Sequence, residues 1–140
     1  DAINSLKTFN PPEQFIQKTI TESLVQVIDD GATTNPTGFH AAIDIAKSIK
    51  SPNKILLTSG IIDLGSESNI IHKKLAKRAR PIFQKVFHLG IDGKSQFQRE
   101  FKNDFISNPG QIKRELAVLS PNSLIIIEGK IKQEILKAIK

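Results

Sequence analysis

The stretch Val27-Ile28-Asp29-Asp30-Gly31-Ala32-Thr33-Thr34-Asn35-Pro36-Thr37 decides how the rest of the chain is read. It leaves an apolar run, residues 24–29, in which Leu24, Val25, Val27 and Ile28 suit a strand buried on both faces. Then the period changes. Over residues 37–49, Phe39, Ala42, Ile43, Ala46 and Ile49 fall on one stripe of a helix. Pro36 stands near the first helical position, where its missing N–H is no loss. Two adjacent carboxylates end the strand, and a small, flexible turn follows. Amides at a helix N-terminus suit an anion or a ribose-phosphate. Carboxylates at this corner suit Mg²⁺ held through water, a sugar hydroxyl or an amine. A capped turn, in which Asp30 only satisfies backbone amides, explains the same residues equally well.

Working outward, the alternation repeats. Ser51-Pro52-Asn53 stops the helix, and residues 54–58 (Ile55-Leu56-Leu57) form a short buried strand. Residues 59–66 are a glycine-bearing loop. Residues 68–80 are helical, with Ile71, Leu75, Ala79 and then Ile82 inward. Residues 85–89 are the next strand. Phe97, Phe101 and Phe105 recur every fourth residue and predict one helix packed on the core. Residues 109–119 are another helix, 123–127 the last strand and 131–139 the closing helix. Upstream, residues 14–20 are extended and separated from residues 24–29 by Thr21-Glu22-Ser23, which reads as a hairpin. Residues 1–12, ending in the stiff Asn10-Pro11-Pro12, read as a linker remnant, leaving 13–140 as one domain.

Strands alternating with helices imply an α/β, Rossmann-like three-layer domain with a mainly parallel sheet and right-handed crossovers. Ligands in such sheets bind beyond the carboxyl ends of the strands. The loops that matter are therefore 29–36, 59–65, 90–95 and 128–130.

Composition narrows the choice. The chain has 140 residues and 15.5 kDa, 39% apolar and 24% charged, which suits one soluble globule. No apolar stretch approaches the ~20 residues of a membrane span, and no leader opens the chain. Cys is absent, which excludes disulfides, thiolate metal sites and a Cys nucleophile. Met is absent even at position 1, so the chain is expected to be a processed or excised piece of something longer. The net charge is +6, and its excess is local: residues 68–91 carry no acid but hold Lys73, Lys74, Lys77, Arg78, Arg80 and Lys85. Without aromatic–basic interleaving, that run reads as a solvated helix face, and neither nucleic acid nor a membrane is expected as a partner.

Gly90-Ile91-Asp92-Gly93-Lys94-Ser95 ends like a phosphate-binding loop, but only two residues separate its glycines where four are needed to wrap a phosphate. It reads as a strand-end turn. His40, His72 and His88 lack ligand spacing and read as surface or satisfied side chains, and no metal site is expected.

The segment Asp29-Asp30-Gly31-Ala32-Thr33-Thr34-Asn35-Pro36, followed by Ala41-Ala42-Ile43-Asp44, resembles the C-terminal domain of the Mur ligase superfamily. There a strand ends in Asp-Asp-Ser-Tyr-Asn-Ala-Asn-Pro before a helix with Ala-Ala-Leu. The next block, Ile55-Leu56-Leu57-Thr58-Ser59-Gly60-Ile61-Ile62-Asp63-Leu64-Gly65 with His72 opening the following helix, is similar to the family's second strand and loop. Leu6-Lys7-Thr8-Phe9-Asn10-Pro11-Pro12 looks like its linker. Within the superfamily the likeness is greatest to the ligases that add D-alanyl-D-alanine to a UDP-N-acetylmuramoyl-tripeptide.

The resemblance implies a cytoplasmic, ATP-dependent amide ligase of peptidoglycan precursors. ATP and Mg²⁺ would be bound mainly by a central domain absent here. This domain would close over the nucleotide and present an amino acid or dipeptide to the acyl phosphate of a UDP-N-acetylmuramoyl-peptide. It would act with the N-terminal and central domains of the same parent chain and be inactive alone. Asp30 would be the catalytic contact, to the ribose or a Mg²⁺-bound water, with Thr33, Thr34, Asn35, Pro36 and Thr37 shaping the nucleotide face. Gly60, Asp63, Gly65, Glu128, Gly129 and Lys130 would face the acceptor. There are departures. Ala32 and Thr33 stand where the family has Tyr and Asn, Gln14 stands near its usual Arg, and Glu128-Gly129-Lys130 replaces Lys-Gly-Ser. They support the alternative of a non-catalytic binding or interaction module on the same fold.

Overall fold

The computed structural model describes residues 16–31 and 34–140. Six strands make one sheet: β1 (Gln17–Ile20), β2 (Gln26–Asp30), β3 (Lys54–Thr58), β4 (Lys85–His88), β5 (Phe105–Ile106) and β6 (Leu124–Glu128). Their order is β1-β2-β6-β3-β4-β5. β1 pairs antiparallel with β2, and every other pairing is parallel. The hairpin and the parallel α/β sheet expected from the alternation are both present. The linker residues 1–12 lie outside the described residues, as do Gln14, Ala32 and Thr33.

Among the described residues five α-helices cover the sheet: α1 (Pro36–Ser48), α2 (Ser68–Ala79), α3 (Lys94–Phe101), α4 (Pro109–Ala117) and the short α5 (Gln133–Leu136). Strand parity divides the core in two. Ile28, Leu56, Val86 and Ile126 pack with Phe39, Ala42 and Ile43 of α1, Leu75 and Ala79 of α2, and Phe97 and Phe101 of α3. Their alternates Ile55, Leu57, Phe87, Ile125 and Ile127 pack on the other face with Ile112 and Leu116 of α4 and Ile135 of α5. β6 lies at the centre, buried along its whole length, which is why its sequence is an unbroken apolar run until Glu128.

Three sequence expectations change. Leu24 is 55% exposed, because it sits at φ 64° in the hairpin turn, where its N–H bonds Thr21 O, and β2 starts only at Gln26. The phenylalanine helix stops at Phe101. A 3-10 turn, Lys102–Asp104, follows, with Lys102 at φ 53°, and Phe105 opens the two-residue strand β5. The closing helix is a single turn, Gln133–Leu136, rather than residues 131–139.

Candidate functional site

Register lines up four polar side chains at the carboxyl ends of four neighbouring strands. Asp30 of β2 is level with Glu128 of β6, Glu128 with Thr58 of β3, and Thr58 with His88 of β4. Each lies two residues beyond Ile28, Ile126, Leu56 or Val86, so all four share the face covered by α1, α2 and α3. All are buried: Asp30 is 5% exposed, and Thr58, His88 and Glu128 are 0%. A polar row thus caps the apolar core just where the strands end.

On the acidic side, the corner is built by its own side chains. Asp29 points to the opposite face, and its Oδ1 accepts from Gly31 N at 2.8 Å, tightening the turn. Asn35 caps α1: its Oδ1 accepts from Gly38 N at 2.7 Å, with Pro36 at the first helical position. Asn35 therefore does the capping that Asp30 might otherwise have supplied. Asp30 faces the same first turn, its Oδ2 close enough that a Cβ on Gly38 would meet it at 3.4 Å. Glu128 is pushed up to about 10, first by burial, then by the side chain of Asp30 as hydrogen-bond partner and as charge, then by the charge of Asp29. It is a neutral acid at pH 7. Neither of its oxygens has a hydrogen-bond partner of full geometry among the described residues.

On the histidine side, the loops are tied down. His72 Nε2 accepts from Ile61 N at 3.0 Å, so its Nδ1 carries the hydrogen and donates to Ser68 O at 2.9 Å. His88 Nε2 donates to Asp92 O at 2.8 Å, and its ring lies between Phe97 and Phe105, with centroids 5.8 and 5.9 Å away. Burial is the main cause that lowers both, His88 to about 4. Gly60 (φ +77°) lies so close to Asp92 O, and Gly93 (φ +75°) so close to the His72 ring, that neither position has room for a Cβ. The 90–95 segment is the expected strand-end turn, with Gly93 capping α3.

Beyond the row a cavity of about 250 Å³ is lined by Gly31, Thr34, Ser59, Gly60, Ile62, Gly129 and Lys130. Two neighbours share its residues: one of about 200 Å³ with Gln17, Asp29, Gly31, Gly129 and Lys130, and one of about 390 Å³ with Ser59, Gly90, Lys130, Lys132 and Glu134. Lys130 lines all three. The 250 Å³ cavity falls below the roughly 300–1,000 Å³ of pockets that enclose a drug-sized ligand, so it offers one face rather than a full enclosure.

Thr34, Gly60, Gly129 and Lys130 therefore come together at the cavity, with Asp30 and Glu128 in the row. Asn35 and Thr37 are exposed on the first turn of α1, and Pro36 is half-buried there. Thr33 lies outside the described residues. Asp63 and Gly65 line none of these three cavities. The Ile61–His72 bond draws the chain toward α2, Asp63 sits exposed at φ 62°, and Gly65 opens a 3-10 turn with nothing within 4 Å of a Cβ. Ser59, Ile62 and Thr58 were missed. Thr58 and Ser59 were findable as the end of a strand whose carboxyl terminus had to meet a ligand site. Among the described residues no group of three or more His, Cys, Asp or Glu is arranged to hold a metal ion, and no helix is long and apolar enough to cross a membrane. The basic run is partly neutralised by other elements, through Arg78–Asp44, Arg80–Asp104 and Lys85–Glu115 pairs.

No family profile and no curated protein matches the chain. Solved structures do. A MurF ligase from Thermotoga maritima, crystallised with ADP, superposes with a TM-score of 0.69 at 16% identity, over 92% of this chain and 30% of that one. A domain of a putative UDP-N-acetylmuramate:L-alanyl-γ-D-glutamyl-meso-diaminopimelate ligase from Haemophilus ducreyi superposes with a TM-score of 0.61 at 18% identity, over 89% of this chain and 98% of that one. At these identities the likeness is one of fold. This chain is the size of the second, a single domain, and spans under a third of the first.

Proposed function

We propose that this chain is the C-terminal domain of a Mur-type ligase, which makes an amide bond in a peptidoglycan precursor at the expense of ATP. The observation that carries the reading is the strand-end corner: a buried Asp30 facing the first turn of α1, a helix start capped by Asn35, with Gly31 and Thr34 lining the cavity alongside. It stands in a domain whose fold recurs in a ligase crystallised with ADP.

In this reading ATP phosphorylates a carboxylate of a UDP-N-acetylmuramoyl-peptide, and ADP leaves. The amine of an amino acid or dipeptide attacks the acyl carbon; the C–O bond to phosphate breaks, and amide, phosphate and a proton result. ATP and Mg²⁺ are held mainly by a central domain. This chain's residues cover the nucleotide and line the acceptor's approach. Asp30 accepts from a ribose hydroxyl or a Mg²⁺-bound water. Thr34, Asn35, Pro36 and Thr37 shape the face laid over the nucleotide, and Thr33 is assigned to it by the resemblance alone. Gly60, Gly129 and Lys130 border the acceptor, Lys130 offering a cation to its carboxylate. Closing a one-sided cavity against a second domain excludes water, which an acyl phosphate requires. D-alanyl-D-alanine is the acceptor to try first.

The test is ATP-dependent phosphate release by the full-length parent with a UDP-N-acetylmuramoyl-peptide, with and without D-alanyl-D-alanine. Release that needs both substrates and collapses in Asp30→Ala is the expected result. No turnover with any muramoyl-peptide and amine would favour the second reading, a non-catalytic module. The buried neutral Glu128, where the resembled family carries Lys, is the observation on that reading's side.

A further inference from the structure

We propose that Glu128 is a positioning residue for Asp30: a buried acid that keeps its proton and gives it as a hydrogen bond to the Asp30 carboxylate, aiming Asp30 at the first turn of α1. The role in catalysis rests on the ligase reading; the shared proton does not.

Geometry carries it. The two residues are register partners on adjacent parallel strands, so their side chains leave the same face about 4.8 Å apart at the backbone. Glu128 is fully buried, and Asp30 keeps only a narrow exposure. Glu128 sits on the central strand with no described partner of full geometry for either oxygen, and a buried carboxyl without a partner is a costly arrangement. On its other side Thr58 Oγ1 is engaged by Gly60 N at 3.0 Å. That leaves the Asp30 carboxyl, level with Glu128 on the adjacent strand and on the same face, as the group to which a protonated Glu128 can direct its hydrogen. Level with Glu128 stand Asp30 on β2 and Thr58 on β3, with the neutral His88 beyond on β4; Asp29 adds its charge from the other face of β2, where Lys130 lines a cavity with it, and α1 brings Gly38 to Asp30. Two like charges side by side in this setting cannot both persist, so one acid retains a proton. The more deeply buried of the two, at the centre of the sheet, is Glu128.

The direct test is carboxyl-carbon NMR of the chain itself, labelled at Glu and Asp. A domain of nearly this extent has been solved by itself, so the chain is expected to stand alone. In the wild type the Glu128 carbon stays in its protonated position from pH 5 to 8, as burial and the Asp30 charge require. Asp30→Asn moves its midpoint down by about one unit or more, because the neighbouring charge has gone. A Glu128 that titrates in the ordinary carboxyl range, or a midpoint indifferent to Asp30→Asn, overturns the proposal.

The role is tested in the full-length ligase. Glu128→Gln keeps a neutral hydrogen donor and should leave kcat within about threefold, while abolishing any alkaline fall that the wild type shows. Glu128→Leu removes the donor and should lower kcat about tenfold or more at every pH. Equal activity of the Gln and Leu variants, or an alkaline limb that persists in Glu128→Gln, overturns the positioning role. Should the parent show no ligase activity while the titration behaves as stated, the ligase reading fails and the shared proton stands.

Discussion

The two halves of the strand-end row use the same physics to opposite effect. On the β3–β4 side, burial holds His72 and His88 neutral, and backbone partners take up His72 on both nitrogens and His88 on one. Gly60 and Gly93 lock the same loops with contacts that admit no side chain. On the β2–β6 side, burial also holds Glu128 neutral, but its oxygens face only another acid. A satisfied buried group is scaffold. His88 Nδ1, like the Glu128 oxygens, has no hydrogen-bond partner among the described residues, so what sets the sides apart is the neighbour: two aromatic rings flank His88, and a second acid stands beside Glu128.

The comparison breaks most visibly in activity. In the ligase reading, Asp30→Ala in the full-length parent should cut phosphate release about 100-fold or more, since it would remove the acceptor for a ribose hydroxyl or a bound water. Gly93→Ala, across the row, should leave kcat within a few fold at permissive temperature but lower stability by about 3–4 kcal/mol in denaturant titration. Roughly 1 kcal/mol comes from the positive φ and up to about 3 from the overlap with His72. A large kcat loss there would blur the division.

Stability against pH sharpens it further. Glu128 is raised from 4.5 to about 10, so its folded state holds a proton the unfolded chain has lost; its contribution is greatest below pH 4.5 and declines as pH rises toward 10. By pH 7 the decline is on the order of 3 kcal/mol. His88 is lowered from 6.5 to about 4, so its contribution is complete above pH 6.5 and falls as pH drops toward 4. The slopes oppose one another between pH 4.5 and 6.5, and above 6.5 Glu128 acts alone. Thermal melts should therefore show a plateau near pH 5–6 and a lower Tm at pH 8, with Glu128→Gln more stable than wild type at pH 8. The smallest effect lies outside the row. Asp44→Asn, which breaks the Arg78 pair on an exposed surface, should cost no more than about 1 kcal/mol and less in salt.

Much of this was legible in the residues. The period change at Thr37, the apolar runs at 54–58 and 124–127, the stop at Pro52 and the helix start at Pro109 are local signals, and β3, α4 and β6 follow them closely. What failed was where spacing serves two backbones. Phe105 keeps the four-residue interval of Phe97 and Phe101, and it still reaches the same core by stacking near His88, yet it does so from a strand after a left-handed Lys102. The interval reports the direction of burial, not the hydrogen bonding. At the site, Glu128 was read as a loop residue facing an acceptor. Its parity with Ile126 already placed it on the α1 face, but only the register across β2, β6 and β3 shows it level with Asp30 and Thr58. That is a relation between segments 98 and 70 residues apart, and no local pattern encodes it.

The central strand also sets a timetable. β6 stands between β2 and β3 but is the last of the six strands to leave the ribosome. Without β6 nothing pairs β2 with β3, so β1–β2 and β3–β4–β5 stay unconnected, each with an edge that only β6 fills in the folded sheet. The nascent chain must keep those edges from other partners while it waits. The place of β6 is also where to divide the domain: a fragment ending near residue 120 lacks one plank, and a peptide carrying residues 121–140, supplied in trans, is shaped to drop into that place and join the halves.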